Sequence, residues 1–134
     1  MLDTSVASFL FPAKRNEALK KDYEEKIGTR LRAICFQTVA ELLLWAEKRN
    51  FGDRQQEELI RYIEGFILLP FDWRLNSEWA RLMAFADRTG QPLRAGDAWI
   101  AASAILNDIP LITHDRDFSR LAYPGLETIA CLPT

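Results

Sequence analysis

Asp3, Glu41, Asp97 and Asp115 are the side chains whose types and positions suit chemistry. Asp3 follows the first apolar residues. Asp97 opens the Ala-rich stretch RAGDAWIAASAILN, and Asp115 follows Leu111-Ile112 in LITHDRDF. Glu41 lies one turn into TVAELLLWAEKRN. Carboxylates gathered at one place repel one another and favour protonation. A divalent cation removes that cost, and an all-oxygen donor set suits Mg²⁺ or Mn²⁺. Such an ion acts as a Lewis acid and activates water. Zinc is poorly served, because His114 is the single histidine and no Cys/His spacing matches a zinc site. His114 itself reads as a turn residue or substrate contact rather than a ligand.

Each acid also has a purely local reading. Thr38-x-x-Glu41 is a capping-box pattern. Asp97 suits an N-cap or a first-turn acid facing the helix dipole. Asp115 or Asp117 suits an Asx-turn, and Asp3 suits a cap on the segment from Thr4 onward. Singly, each acid is explained as well by its local role as by a site. Convergence of all four acids at one edge is what favours a metal.

The elements must supply that convergence. Met1-Leu2 gives a minimal strand, and the apolar segment after Asp3 suits a helix stopped by Pro12. Residues 14–27 are polar, with Ala18, Leu19, Tyr23 and Ile27 at helical spacing. AICF (33–36) reads as a buried strand, followed by a helix from Thr38 that Gly52 closes. DRQQEELIRYIEGF is a helix with Leu59, Ile60, Ile63 and Phe66 on one side, and ILLPF is a strand. Asp72 opens a helix with Trp79, Leu82, Met83 and Ala86 on its apolar face, ending near Gly90. The Ala-rich helix of residues 94–107, the strand PLIT, the acidic turn and the strand ETIACL complete the chain. Alternating strands and helices predict an α/β fold with a mostly parallel sheet covered on both faces. Ligands then bind at the carboxyl ends of the strands, where LITHDRDF places its acids.

Composition bounds the partners. With 134 residues and 49% hydrophobic residues, a single domain over residues 1–134 with a real core is expected. The net charge is −2, from 17 basic and 19 acidic side chains, which excludes a bulk polycation. Any nucleic acid must be held by local patches or a metal. Cys35 and Cys131 are too few for a disulfide framework and read as buried thiols. The N-terminus lacks signal-peptide character, and no apolar run reaches membrane-span length. A cytoplasmic protein with no membrane partner is the expectation.

The ordered motifs DTSV, TVAEL, GDAWIAA and THDRDF resemble the PIN-domain ribonucleases, most closely the VapC-type toxins of bacterial toxin–antitoxin pairs. PGLE (124–127) resembles the lead into that family's last strand. The similarity runs over essentially the whole chain, and the ordered set is more specific than any motif alone. It implies a three-layer α/β/α fold, a Mg²⁺- or Mn²⁺-dependent endoribonuclease with one or two ions, a homodimer and a cognate antitoxin. Carried over by motif, the acidic site is Asp3, Glu41, Asp97 and Asp115, with a weaker claim for Asp117. Asp3, Asp97 and Asp115 would hold metal, and Glu41 would share it or orient the attacking water. Cleavage would leave a 5′-phosphate and a 3′-hydroxyl. Thr4, Ser5 and Thr113 are candidates to hydrogen-bond the carboxylates. The chain departs from the family in having only Met1 and Leu2 before Asp3, and in His114 where Asn is common.

Lys14, Arg15, Lys20, Lys21, Lys26, Arg30 and Arg32 crowd the first quarter, and most read as a solvated helix face. Arg94 and Arg116, beside the acidic motifs, are the phosphate candidates. Val39, Leu42, Leu43, Leu44, Trp45 and Ala46 make one helix apolar nearly all round, more than a sheet can cover, which suits either a helix that is simply central in the fold or an interface with the following helix for a second copy or an antitoxin segment. A haloacid-dehalogenase-type phosphatase needs an acid two residues after its first Asp, where Ser5 stands. A receiver-like domain wants a paired acid cluster and a late lysine, which are not seen. The remaining rival is a PIN-like module kept for protein binding without catalysis; it would be marked by lost acids.

Overall fold

The central strand-like segment Met1–Asp3 organises the molecule. In the computed structural model, which describes residues 1–11 and 17–130, Leu2 N–H donates to Ala33 O at 2.9 Å. On its other side Ile112 N–H donates to Met1 O at 2.8 Å, and Asp3 N–H to Ile112 O at 3.2 Å. The expectations for Pro12, Lys14, Arg15, Cys131 and the side chains of Ala18 and Leu19 lie outside the described residues.

The described elements run α1 (Thr4–Phe9), α2 (Glu17–Ile27), β1 (Ala33–Ile34), α3 (Phe36–Lys48), α4 (Asp53–Glu64), β2 (Ile67–Leu68), α5 (Trp73–Thr89), α6 (Ala95–Leu106), β3 (Leu111–Thr113), α7 (Arg116–Leu121) and β4 (Thr128–Ala130). β1 pairs in parallel with β2, and β3 in parallel with β4, with Leu111 opposite Thr128 and Thr113 opposite Ala130. Leu2 bridges in parallel to Ile112. The layer therefore reads β2, β1, the Leu2 segment, β3, β4.

Side-chain alternation splits the core in two. Leu2, Ile34 and Ile112 face one cluster, with α1 to α4 supplying Val6, Tyr23, Leu42 and Leu59, and Phe11 joining from just beyond α1. Met1, Cys35 and Leu111 face the other, with α5 to α7 supplying Leu75, Leu82, Ile100, Ala101 and Phe118. A period of two on the strands thus yields a three-layer α/β/α sandwich. The small Ala98, Ala101 and Ala102 side chains are fully buried, as close packing of α6 requires.

Several local expectations are corrected. The AICF strand is only Ala33–Ile34, because Cys35 already caps α3 and Phe36 begins it. Gly52 does not close α3. Asn50 takes the left-handed position at φ 52°, and Gly52, at φ −71°, is the N-cap of α4. Ile60 points out of the core at 46% exposure, whereas Leu59 is buried. Asp72 and Gly90 behave as expected at the two ends of α5, Gly90 at φ 67°. On that helix Glu78 is buried, while Trp79 and Met83 are only half-buried. No helix among the described residues is long and apolar enough to cross a membrane.

Candidate active site

Asp3, Glu41, Asp97 and Asp115 all line one cavity of about 270 Å³, together with Thr4, Ser5, Ser8, Trp45, Arg94 and Ile100. The acids come from four different places: the end of the first strand segment, α3, α6 and the end of β3.

Asp3 is both a cap and a wall of the cavity. Its Oδ1 accepts from Val6 N–H at 2.9 Å and from Ser5 Oγ–H at 2.7 Å, and it is the N-cap of α1. Its Oδ2 accepts from Thr113 Oγ1–H. Thr113 Oγ1 in turn accepts from Asp115 N–H at 2.9 Å, and Asp115 Oδ1 accepts from Asp117 N–H at 2.9 Å as the N-cap of α7. One threonine thus locks the tips of two neighbouring strands to each other. The local and the site readings of Asp3 and Asp115 hold together, because a capping carboxylate spends only part of its acceptor capacity.

The helix acids are held otherwise. Glu41 Oε1 accepts from Gln37 Nε2–H at 2.9 Å. The capping box at Thr38 does not form. Cys35 is the N-cap, and Thr38 is buried two residues inside α3, where its hydroxyl receives that of Thr4 at 3.2 Å. Thr4 accordingly supports α3 rather than a carboxylate. Asp97 is not an N-cap either. Arg94 holds that position and Asp97 sits in the first turn of α6, where the helix dipole favours its charge. Arg94 Nε–H donates to Asp97 Oδ2 at 3.2 Å.

Burial pushes the Asp3 carboxyl above the usual carboxylate range, against the opposing pull of Thr113, Val6 N–H, Ser5 and the His114 field. Burial also raises Asp97, with Arg94 pulling down and the charges of Asp115 and Glu41 pushing up. The Arg94 guanidinium is raised, chiefly by the Asp97 charge. Burial thus disfavours the ionised forms of Asp3 and Asp97, which their hydrogen-bond partners only partly offset. The donor set is all carboxylate oxygen, which fits a hard divalent cation. Among the described residues, no three His, Cys, Asp or Glu side chains are drawn together as a ready-made metal cluster. Asp97 bonds to Arg94, Glu41 to Gln37 and Asp3 to Thr113.

The remaining expected residues fall outside the cavity wall. Asp117 is half-buried in the first turn of α7, and Arg116 beside it is exposed. Neither lines the cavity. His114 Nδ1 lies 2.7 Å from Tyr23 Oη, and its ring meets Phe9 edge-on. Sequence reasoning overlooked Ser8, Gln37 and Gly96, and counted Trp45 only as an interface residue. Gln37 lies four residues before Glu41, a spacing that signals a side-chain pair on a helix. A Cβ on Gly96 would lie 2.8 Å from Gln37 Nε2, a close approach that only the tertiary structure displays.

The chain is similar to known proteins along most of its length. The PIN domain family model matches residues 1–123. The VapC ribonuclease Y4jK of Sinorhizobium fredii is 32% identical, over 96% of this chain and 94% of its own. The crystal structure of VapBC-5, a member of the VapBC family of toxin–antitoxin systems from Mycobacterium tuberculosis, is similar at a TM-score of 0.66 and 31% identity, over 96% of this chain and 95% of that one. VapBC2 from Rickettsia felis, solved bound to a DNA fragment from its promoter, shares the fold at a TM-score of 0.81 and 20% identity, over 97% and 96% of the two chains. By the family match over most of its length, and by its likeness to the VapC ribonuclease, the chain belongs to the PIN-domain family.

Proposed function

We propose that this chain is a Mg²⁺- or Mn²⁺-dependent endoribonuclease, a single domain over residues 1–134 acting in the cytoplasm as the toxin of a toxin–antitoxin pair. The observation that carries the reading is the meeting of Asp3, Glu41, Asp97 and Asp115 on one cavity. The relatives named as ribonucleases and as members of toxin–antitoxin systems support it.

Asp3, Asp97 and Asp115 would hold the ion directly or through water, and Glu41 completes the set. When bound, a divalent ion supplies Lewis acidity toward a phosphoryl oxygen and neutralises the charge that develops there. Thr113 and Ser5 fix the Asp3 carboxylate, so its orientation costs no rearrangement when substrate arrives. Glu41 keeps acceptor capacity beyond its bond to Gln37, enough to hold a water for in-line attack and to take its proton. Hydrolysis would leave a 5′-phosphate and a 3′-hydroxyl.

The assembly part of the reading rests on the exposed apolar side of α3 and α4. Leu43, Leu44 and Ile60 are 43%, 52% and 46% exposed. Beside them Leu43, Ala46, Glu47, Gln56, Leu59 and Ile60 line a small cavity of about 160 Å³. Such a patch suits a second copy or an antitoxin segment. A cognate antitoxin would restrain the enzyme by sending a basic side chain toward the acids.

Sequencing RNA ends after induced expression tests the reaction. A defined set of new 5′-phosphate ends, absent in Glu41→Gln, is expected. No new ends in an expressed, folded protein would support the non-catalytic interaction module instead. Molar mass by light scattering tests assembly: a dimer is expected, and a strict monomer would remove the homodimer.

A further inference from the structure

Arg94 is the one cation among the described residues that line the acidic cavity. It stands at the N-cap of α6 but gives the helix no side-chain cap. Its guanidinium reaches inward to Asp97 at 3.2 Å, yet its side chain is 83% exposed against 10% for Asp97. Its charge also acts on Asp115 and Glu41. We propose that Arg94 is the built-in counter-cation of the site: it competes with the divalent ion for Asp97 and, once displaced, turns outward to hold an RNA phosphate.

The argument is one of occupancy and room. Asp97 lines the cavity with the other acids, and its Oδ2 is the oxygen that Arg94 holds. A guanidinium on that oxygen and a divalent ion beside it repel each other. Asp97 cannot move away, because it is buried in the first turn of a packed helix. Arg94 can, because its long side chain is solvent-exposed and anchored at the rim. Once turned, its planar fork pairs two oxygens of a phosphate, which a lysine point charge does less well. The same residue thus lowers the cost of four clustered acids without metal and recruits substrate with it.

This inference rests on the metal-dependent reading above, and the experiment separates the two. Mn²⁺ binding is measured by calorimetry on the full chain and on Arg94→Gln, Arg94→Lys and Asp97→Asn. Binding of a single-stranded RNA oligonucleotide is followed across salt concentrations without divalent ions and again with Ca²⁺. Arg94→Gln is expected to bind Mn²⁺ roughly two- to fivefold more tightly, the range of an exposed ion pair. Arg94→Lys should stay near the parent in Mn²⁺ affinity. With Ca²⁺ present, Arg94→Gln should lower the salt slope of RNA binding by about 0.7, one phosphate contact. Unchanged or weaker Mn²⁺ binding in Arg94→Gln, with binding lost in Asp97→Asn, would overturn the role of Arg94 and leave the metal site standing. Equal Mn²⁺ binding in parent and Asp97→Asn would overturn the metal reading and this inference with it. An unchanged salt slope would overturn the phosphate half.

Discussion

Asp3 enters the cavity held by Thr113, Ser5 and the N–H of Val6, whereas Asp97 enters it beside the Arg94 guanidinium. The two acids are almost equally buried, at 2% and 7% exposure. Their partners differ in kind. On the strand side, hydroxyls and backbone N–H groups join Asp3, Thr113 and Asp115 into a network that also caps α1 and α7. On the helix side, Gln37 holds Glu41 and an exposed arginine holds Asp97. The strand side is bound up with the fold, so disturbing it should cost stability as well as activity. On the helix side the exposed Arg94 can rearrange without unfolding anything. The proposed exchange of Arg94 for a metal and a substrate uses one half of each kind.

The sharpest way to break the comparison is to neutralise the helix side. Asp97→Asn and Glu41→Gln should each lower RNA cleavage by about 10²- to 10⁴-fold, the scale of a lost acid–base or metal-binding group. The fold should survive both. Burial raises the Asp97 carboxyl, so its ionised form disfavours folding. Its contribution is fullest below the unfolded carboxyl pKa and is lost as pH rises through the higher folded one. Without metal, Asp97→Asn should therefore melt no lower than the parent near neutral pH. A melting-temperature series over pH, with a cleavage assay beside it, checks both halves. Undiminished cleavage in either variant would remove that acid from the site.

Metal addition should show a smaller, opposite effect. At about 100 times its dissociation constant, Mg²⁺ or Mn²⁺ should stabilise the parent by about 2.7 kcal/mol through binding to the native state alone. Asp97→Asn should lose most of that gain. Equal metal-dependent shifts in both proteins would mean that the ion binds elsewhere.

On the strand side the prediction is reversed in character. Thr113→Val keeps the shape but removes the donor to Asp3 and the acceptor for Asp115 N–H. Leaving those buried groups unpaired should cost about 1–3 kcal/mol in a denaturant melt, with cleavage falling as well. If Thr113→Val is as stable as the parent, the contrast between the two halves fails.

The same contrast marks what the sequence could reveal. Asp3, Asp97 and Asp115 were legible because strand ends and helix starts in an α/β pattern converge by topology, and the layered fold followed from the same alternation. Glu41 was legible as a helix position, but its capping-box explanation was not sound. Thr38 is drawn inward by Thr4 from another helix, and Cys35 takes over as the cap. Gly52 misled because the preceding Asn50 turns the chain before the glycine is reached. Trp45, four residues after Glu41, and Arg94, three before Asp97, stand at helical spacings that pair them with those acids, whereas Ser8 joins the cavity through the packing of α1.

Gly96 supplies the smallest and most selective test. It lies in the first turn of α6, where α3 passes close by. A Cβ there would sit 2.8 Å from Gln37 Nε2 and 3.0 Å from Glu41 Oε1. Contacts that short force something to move. What stands in the way is the far end of two flexible side chains rather than backbone, so the fold yields easily. Alanine also suits a helix better than glycine, by up to about 1 kcal/mol in an interior position. Gly96→Ala should therefore be as stable as the parent or more stable by a few tenths of a kcal/mol. Yet Glu41 would be pushed from its place beside Gln37, and misplacement by about 1 Å can cost as much as 10²-fold in rate. A loss of about tenfold in cleavage, with an unchanged or higher melting temperature, is the expected pair of results. Adding Gln37→Ala should recover part of the loss, because the nearer obstacle is then gone and Glu41 can settle toward the vacated space. Parental cleavage in Gly96→Ala would show that Glu41 works from any nearby position, and the geometric role of the α3–α6 contact would be withdrawn.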